Sequence, residues 1–181
     1  SCIYYNVIIQ EILRMDLFDN LKETNKQVPL AEILRPKTLD EYLGQTNVMS
    51  ENSALFGLLN SGRLFSVLFW GPPGCGKTTL ARLLADKVNA DFIELSAVTS
   101  GVKDIKDVVT KANENLLCGK KTILFLDEIH RYSKTQQDAL LPHVENGTFY
   151  LMGSTTENPS FQVIPALLSR VRVMRLSALD D

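Results

Sequence analysis

Cysteine is scarce in this chain, and its three copies, Cys2, Cys75 and Cys118, have neither the paired spacing of a zinc site nor the density of a disulfide scaffold. That usage fits a reducing compartment. No apolar run approaches the roughly 20 residues of a membrane-spanning helix, so no membrane partner is expected. Charge of one sign is also missing: 19 basic residues against 21 acidic ones give a net charge of −2. A surface that binds polyanions indiscriminately is thereby excluded. A local basic patch, or several subunits around one duplex, remains compatible. Internal repeats and low-complexity tracts are absent, which excludes solenoids and fibrous classes. What is present is an ordinary 45% of apolar residues in 181, enough for one domain with a substantial core.

The most informative stretch is Gly71-Pro72-Pro73-Gly74-Cys75-Gly76-Lys77-Thr78, which matches G-x-x-x-x-G-K-[ST]. It lies between the apolar run Ser66 to Trp70 and a helix-like run from Lys77 to Asn89, the context that a P-loop requires. Its glycines turn backbone N–H groups toward phosphate oxygens, and the helix N-terminus adds positive dipole. Lys77 reaches the terminal phosphates as a point charge, and Thr78 is placed to ligate Mg²⁺. Thr79 follows in the same first turn. Cys75 has no base paired with it in the sequence and reads as a small filler.

A phosphate cradle needs an acidic element before it can hydrolyse. Thr122-Ile123-Leu124-Phe125-Leu126 is an unbroken apolar run, as expected of a strand buried on both faces, and it ends in Asp127-Glu128. Ligands of open α/β sheets gather at the carboxyl ends of strands, so both carboxylates fall beside the P-loop if the two strands are near neighbours. Asp127 is then expected to hold Mg²⁺ through water, and Glu128 to orient and polarise the attacking water. His130 completes Asp-Glu-Ile-His and is read as a neighbour of the site with a packing role.

Residues 1–14 precede Met15 and read as an upstream extension or an artificial leader, with native translation beginning at Met15. Residues 15–28 read as a flexible arm, and 29–181 as the nucleotide-binding unit. Asp16-Leu17-Phe18 has the look of a short clamp-docking peptide but lacks its leading Gln, so simple packing stands beside that reading. Helical spacing is expected over Glu51 to Gly62, Val102 to Leu117, Lys134 to Val144 and Ile164 to Leu168. Strands are expected at Phe92 to Leu95, Thr148 to Gly153 and Val171 to Leu176, besides the two already named. Alternating strands and helices imply a mostly parallel five-stranded sheet covered on both faces, an α/β three-layer sandwich.

Several segments occur in one order: Arg35-Pro36 with Leu43-Gly44-Gln45, the P-loop, Ser96-Ala97-Val98-Thr99-Ser100-Gly101-Val102-Lys103, Leu126-Asp127-Glu128-Ile129-His130-Arg131, Ser154-Thr155-Thr156-Glu157-Asn158-Pro159-Ser160-Phe161 and Leu167-Leu168-Ser169-Arg170. Together they resemble the clamp-loader clade of AAA+ ATPases, and more narrowly the replication-associated recombination protein A family, which includes the Werner-helicase-interacting protein. The resemblance covers Pro29 to Leu176.

It implies roles that spacing does not. Thr156 corresponds to the first sensor, which helps position the attacking water, and Arg170 to the arginine finger that a neighbouring subunit inserts into the ATP site. A surface ion pair with the acids at the C-terminus is the other reading of Arg170. Arg35, Pro36, Leu43, Gly44 and Gln45 resemble the adenine-side pocket. Lys103 and Lys106, with Lys111, lie where relatives line the inner surface of a ring around DNA, although Asp104 and Asp107 between them equally suit a solvated face. Relatives carry an Asn after the second strand that couples DNA to the catalytic glutamate. Ser96 stands at that place, and the resemblance is silent on whether it does the same.

The resemblance implies a helical lid and an oligomerisation region beyond this segment, so weak nucleotide affinity and poor turnover are expected of the segment alone. For the whole protein the resemblance implies a homo-oligomeric, Mg²⁺- and ATP-using, DNA-dependent ATPase of replication-fork maintenance, recombination and repair, in the bacterial cytoplasm with the nucleoid rather than in a nucleus. A nucleotide-gated module that recruits clamp, polymerase or single-strand binding protein, and a Holliday-junction branch-migration motor, stand as alternatives.

Overall fold

The computed structural model describes residues 63–178, together with Pro36 and Thr38. Expectations for 1–28, for Arg35, for Leu43 to Gln45 and for the helix over Glu51 to Gly62 lie outside the described residues. Five strands, β1 (Val67–Trp70), β2 (Asp91–Ser96), β3 (Thr122–Asp127), β4 (Tyr150–Thr155) and β5 (Arg172–Arg175), form one sheet in the order β2-β3-β4-β1-β5. Every pairing is parallel.

Parallel neighbours need crossovers, and helices supply them. α1 (Lys77–Lys87) follows β1, α2 (Val102–Leu117) follows β2, and a 3₁₀ turn (Ile129–Arg131) with α3 (Lys134–Glu145) follows β3. Two short helices, α4 (Pro159–Gln162) and α5 (Pro165–Leu168), link β4 to β5. Strand side chains alternate between two cores. Val67, Phe69, Ile123, Phe125 and Met152 pack with Leu80, Ala81 and Leu84 of α1 on one face. Leu68, Leu124, Leu126 and Leu151 pack with Ile105, Val108 and Ala112 of α2 and Leu140 of α3 on the other. The expected three-layer sandwich is therefore present, with its buried strands apolar on both faces.

The ends of several elements differ from the sequence reading. β4 extends to Thr155 rather than stopping at Gly153, because Ser154 and Thr155 are fully buried and satisfied by hydrogen bonds. α4 was not expected; Asn158 caps it by accepting from the Ser160 N–H at 3.0 Å, and Pro159 occupies its first turn. α5 starts at Pro165, one residue later than expected, and β5 is limited to four residues.

One buried polar residue ties the linker to the sheet's helical layer. Gln137 of α3 donates to the carbonyls of Tyr132 and Gln162, both at 3.0 Å, and accepts from the Ile164 N–H at 2.9 Å. Both amide hydrogens and the oxygen are used, so this 1% exposed side chain is satisfied.

Candidate nucleotide site at the carboxyl edge of the sheet

β1, β4 and β3 stand side by side, so their carboxyl ends bring three segments to one edge. These are Gly71 to Thr79, Thr155 to Thr156, and Asp127 to Glu128. The strands carrying the P-loop and the acidic pair are near neighbours but not adjacent. β4 lies between them, and two strand spacings separate their ends by about 10 Å.

The loop after β1 is shaped by its glycines at two points. Gly76 has φ 90°, a left-handed conformation, and turns the chain directly into α1. A Cβ on Gly71 would lie 2.5 Å from the Leu176 carbonyl oxygen, so only glycine lets the segment after β5 approach this closely. No side chain caps α1, which leaves its first N–H groups facing the sheet edge. Lys77 is only 8% exposed, and its Nζ donates to the carbonyls of Gly71 at 2.9 Å and Pro72 at 2.8 Å. Two carbonyl dipoles thus compensate a buried ammonium. Cys75 is 1% exposed within the core on the α1 face, a place that suits a small apolar filler. Thr78 and Thr79 are half-buried beside Lys77, and the Thr78 hydroxyl bonds to no other described residue. Pro36 is half-buried and outside any regular element.

The acidic pair is organised by β4. The Ser154 hydroxyl donates to Asp127 Oδ1 and accepts from the Glu128 N–H at 3.1 Å. That bond anchors Glu128 where its backbone is left-handed, with φ 55° and ψ 47°, an uncommon conformation for a residue with a Cβ. Thr156 Oγ1 lies 3.5 Å from Glu128 Oε2, within donating reach. The His130 side chain is 6% exposed, as packing would require, yet it has polar contacts: Nδ1 lies 3.0 Å from Thr155 Oγ1 and 3.2 Å from Glu128 Oε2. His130, expected as a neighbour of the site with a packing role, stands beside it with polar partners, and Ser154 is a member of this edge that residue-by-residue sequence reading did not assign to it. A polar pair inside an otherwise apolar β4 was the available signal for Ser154.

The donor chemistry suits Mg²⁺. Asp127 and Thr78 offer hard oxygens, and no cluster of three His, Cys, Asp or Glu side chains that could cage a metal exists among the described residues. Mg²⁺ characteristically takes one or two protein oxygens and completes its shell with water and phosphate.

Other expected site residues fall elsewhere. Arg170 precedes β5 by two residues, and β5 is parallel to β1, so Arg170 lies at the amino edge of the sheet. At least the strand's length, about 10 Å, separates that edge from the P-loop. Its Nε pairs with Glu145 of α3, and one of its terminal nitrogens donates to the Ala166 carbonyl at 2.8 Å. Among the described residues the ion pair is with Glu145; the acids at the C-terminus, Asp180 and Asp181, lie outside the described residues. Ser96, at the end of β2, spends its hydroxyl on the Val98 N–H at 3.3 Å. Lys103 and Lys106 are exposed in the first turns of α2, whereas Lys111 pairs with Glu114 at 3.5 Å. Asp104 between them turns back to accept from the Gly101 N–H at 2.7 Å.

Among the described residues no helix is long and apolar enough to cross a membrane. Residues 67–178 match the model of the ATPase family associated with various cellular activities (AAA). The chain is 50% identical over 151 residues to the replication-associated recombination protein A of Haemophilus influenzae, covering 83% of this chain and 34% of that protein. It is 52% identical over 151 residues to the ATPase WRNIP1 of Dictyostelium discoideum, covering 83% of this chain and 17% of that protein. Among solved structures, the RuvB Holliday junction branch migration motor of Thermotoga maritima superposes with a TM-score of 0.64 at 35% identity, over 80% of this chain and 48% of that one. The chain spans about a third of the length of the bacterial recombination protein it matches.

Proposed function

Because this chain belongs to the ATPase family associated with various cellular activities (AAA), we propose that it is the nucleotide-binding segment of a DNA-dependent ATPase acting in replication-fork maintenance, recombination and repair. The observation that carries hydrolysis, rather than binding alone, is the Glu128 carboxylate held within 3.5 Å of Thr156 Oγ1 at the sheet edge shared with the P-loop.

In this reading the backbone amides of Gly74 to Thr79 bind the phosphates, and Lys77 exchanges the carbonyls of Gly71 and Pro72 for phosphate oxygens. Thr78 and Asp127 hold Mg²⁺, which when bound neutralises charge developing on the phosphates. Glu128 takes a hydrogen bond from the attacking water and orients it, while Thr156 fixes the carboxylate and the water relative to each other. By resemblance, Arg35, Pro36, Leu43, Gly44 and Gln45 are the residues we assign to adenine recognition. Arg170, too far from its own P-loop, serves the site of the next copy in a homo-oligomer, where such an arginine is worth roughly 10³ to 10⁵ in rate. Lys103 and Lys106 contact DNA phosphates. Their placement in the first turns of α2, after a strand that ends at the nucleotide edge, supports this, as does the engagement of Asp104 with its own helix terminus. The names of the bacterial relatives support a cytoplasmic setting. Single-strand binding protein and the sliding clamp are the further partners we propose.

Steady-state ATP turnover by the full-length protein, with and without single-stranded and end-bearing duplex DNA, tests the reading. DNA should raise turnover, and Glu128→Gln should abolish it while nucleotide still binds. Turnover indifferent to DNA, with binding intact, would favour a nucleotide-gated recruitment module instead. The likeness to the RuvB motor supports a second reading, branch migration, which a four-way junction substrate in the same assay would reveal.

A further inference from the structure

His130 is the one imidazole in contact with the acidic pair, and the hydrolytic reading leaves it without a task. An ionised carboxylate only accepts hydrogen bonds. Nδ1, 3.2 Å from Glu128 Oε2, must therefore carry the proton if the two are to attract. The surroundings agree with that tautomer. Thr155 Oγ1 accepts from the Glu157 N–H at 3.1 Å and directs its own hydrogen to the Glu157 carbonyl at 3.2 Å. Its remaining capacity is as an acceptor, so at 3.0 Å it too calls for a hydrogen on Nδ1. Nε2 faces Glu157 Oε1 at 3.8 Å, beyond hydrogen-bond reach. The imidazole is thus anchored to β4 through Thr155, and its Nδ1 edge stands against Glu128 Oε2 at 3.2 Å, an ion-pair distance.

The contact has a direction. His130 and Thr156 both approach Oε2 of Glu128, leaving Oε1 for another donor. Glu128 itself sits on a left-handed backbone next to a 3₁₀ turn, with its side chain 30% exposed. Ser96, the polar side chain at the adjacent strand end, is engaged with its own turn. We infer that His130 is a positioning residue whose Nδ1 edge, in electrostatic contact with Oε2 of Glu128, holds that oxygen in place, so that Oε1 points at the attacking water.

The inference rests on the proposed role of Glu128, and the experiment separates the two. ATP turnover and nucleotide binding are measured on the full-length protein for wild type, Glu128→Gln, His130→Ala, His130→Asn and His130→Gln. Asn places an amide donor where Nδ1 stands, and Gln places one where Nε2 stands. Loss of a supporting partner of this kind typically costs about 10- to 100-fold in activity. His130→Ala should lower kcat by that order with KM for ATP and nucleotide affinity unchanged. His130→Asn should restore most of the loss and His130→Gln little of it. Equal kcat for His130→Ala and wild type, beside an inactive Glu128→Gln, would overturn the inference alone, as would equal rescue by Asn and Gln. Full activity of Glu128→Gln would overturn the hydrolytic reading beneath it. Should His130→Ala not fold, the contrast between Asn and Gln decides the matter.

Discussion

Tyr132 illustrates how much a single buried hydroxyl can be asked to do. It is 3% exposed, and its phenol lies 2.8 Å from Ser100 Oγ, which donates in turn to the Ser96 carbonyl at 2.6 Å. Tyr132 is therefore the donor of the pair, linking the turn after β2 to the segment after β3. Burial pushes its pKa above the ordinary 10.0; the Ser100 hydroxyl, which can turn to donate to the phenolate, opposes this, and Asp104 adds to it. Since the folded state binds this proton more tightly than the unfolded one, the contribution to stability is complete below pH 10.0 and is lost as pH rises through the folded value. Tyr132→Phe should cost about 1 kcal/mol at neutral pH through the lost hydrogen bond. The stability gap between the two proteins, measured by urea denaturation, should close as pH is raised past 10.0; a constant gap would refute the assignment.

At the level of elements, the linker from β4 to β5 depends on α3 through Gln137. Gln137→Ala leaves the Ile164 N–H and two carbonyls without that partner, and each buried group stranded costs about 1–3 kcal/mol. Denaturant midpoints should fall accordingly, and protease cleavage should concentrate between Asn158 and Arg170. Cleavage spread evenly along the chain would argue against a local role. This linker was also the least legible part of the fold. The strands of the central sheet could be read because unbroken apolar runs such as Ile123 to Leu126 have few alternatives. α4 is four residues long, too short for helical periodicity to register, although Asn158-Pro159 carried a start signal. The boundary of β4 was misread because Ser154 and Thr155 look like turn residues until their partners on β3 and the 3₁₀ turn are known. The same holds for the site. The P-loop and acidic pair are written in contiguous motifs, whereas the contact between His130 and Glu128 exists only because Glu128 bends the chain into a left-handed corner.

For the whole molecule, the separation of Arg170 from Lys77 across the sheet means that one copy cannot bring both to the same phosphate. Arg170→Ala in the full-length protein should abolish turnover while costing less than about 1 kcal/mol of stability, because its pair with Glu145 is solvent-exposed. Mixing inactive Arg170→Ala with inactive Glu128→Gln should restore part of the turnover, at junctions where an intact Glu128 meets an intact Arg170. Absence of recovery after subunit exchange would place the arginine outside the active site. A different consequence attaches to the corner at Glu128. A conformation that asparagine or glycine adopts with less strain is occupied by a long acidic residue, so ease of folding and chemistry pull this position in opposite directions. A lineage selected only for thermal endurance would drift away from glutamate there, and the survivors would be sturdier and mute.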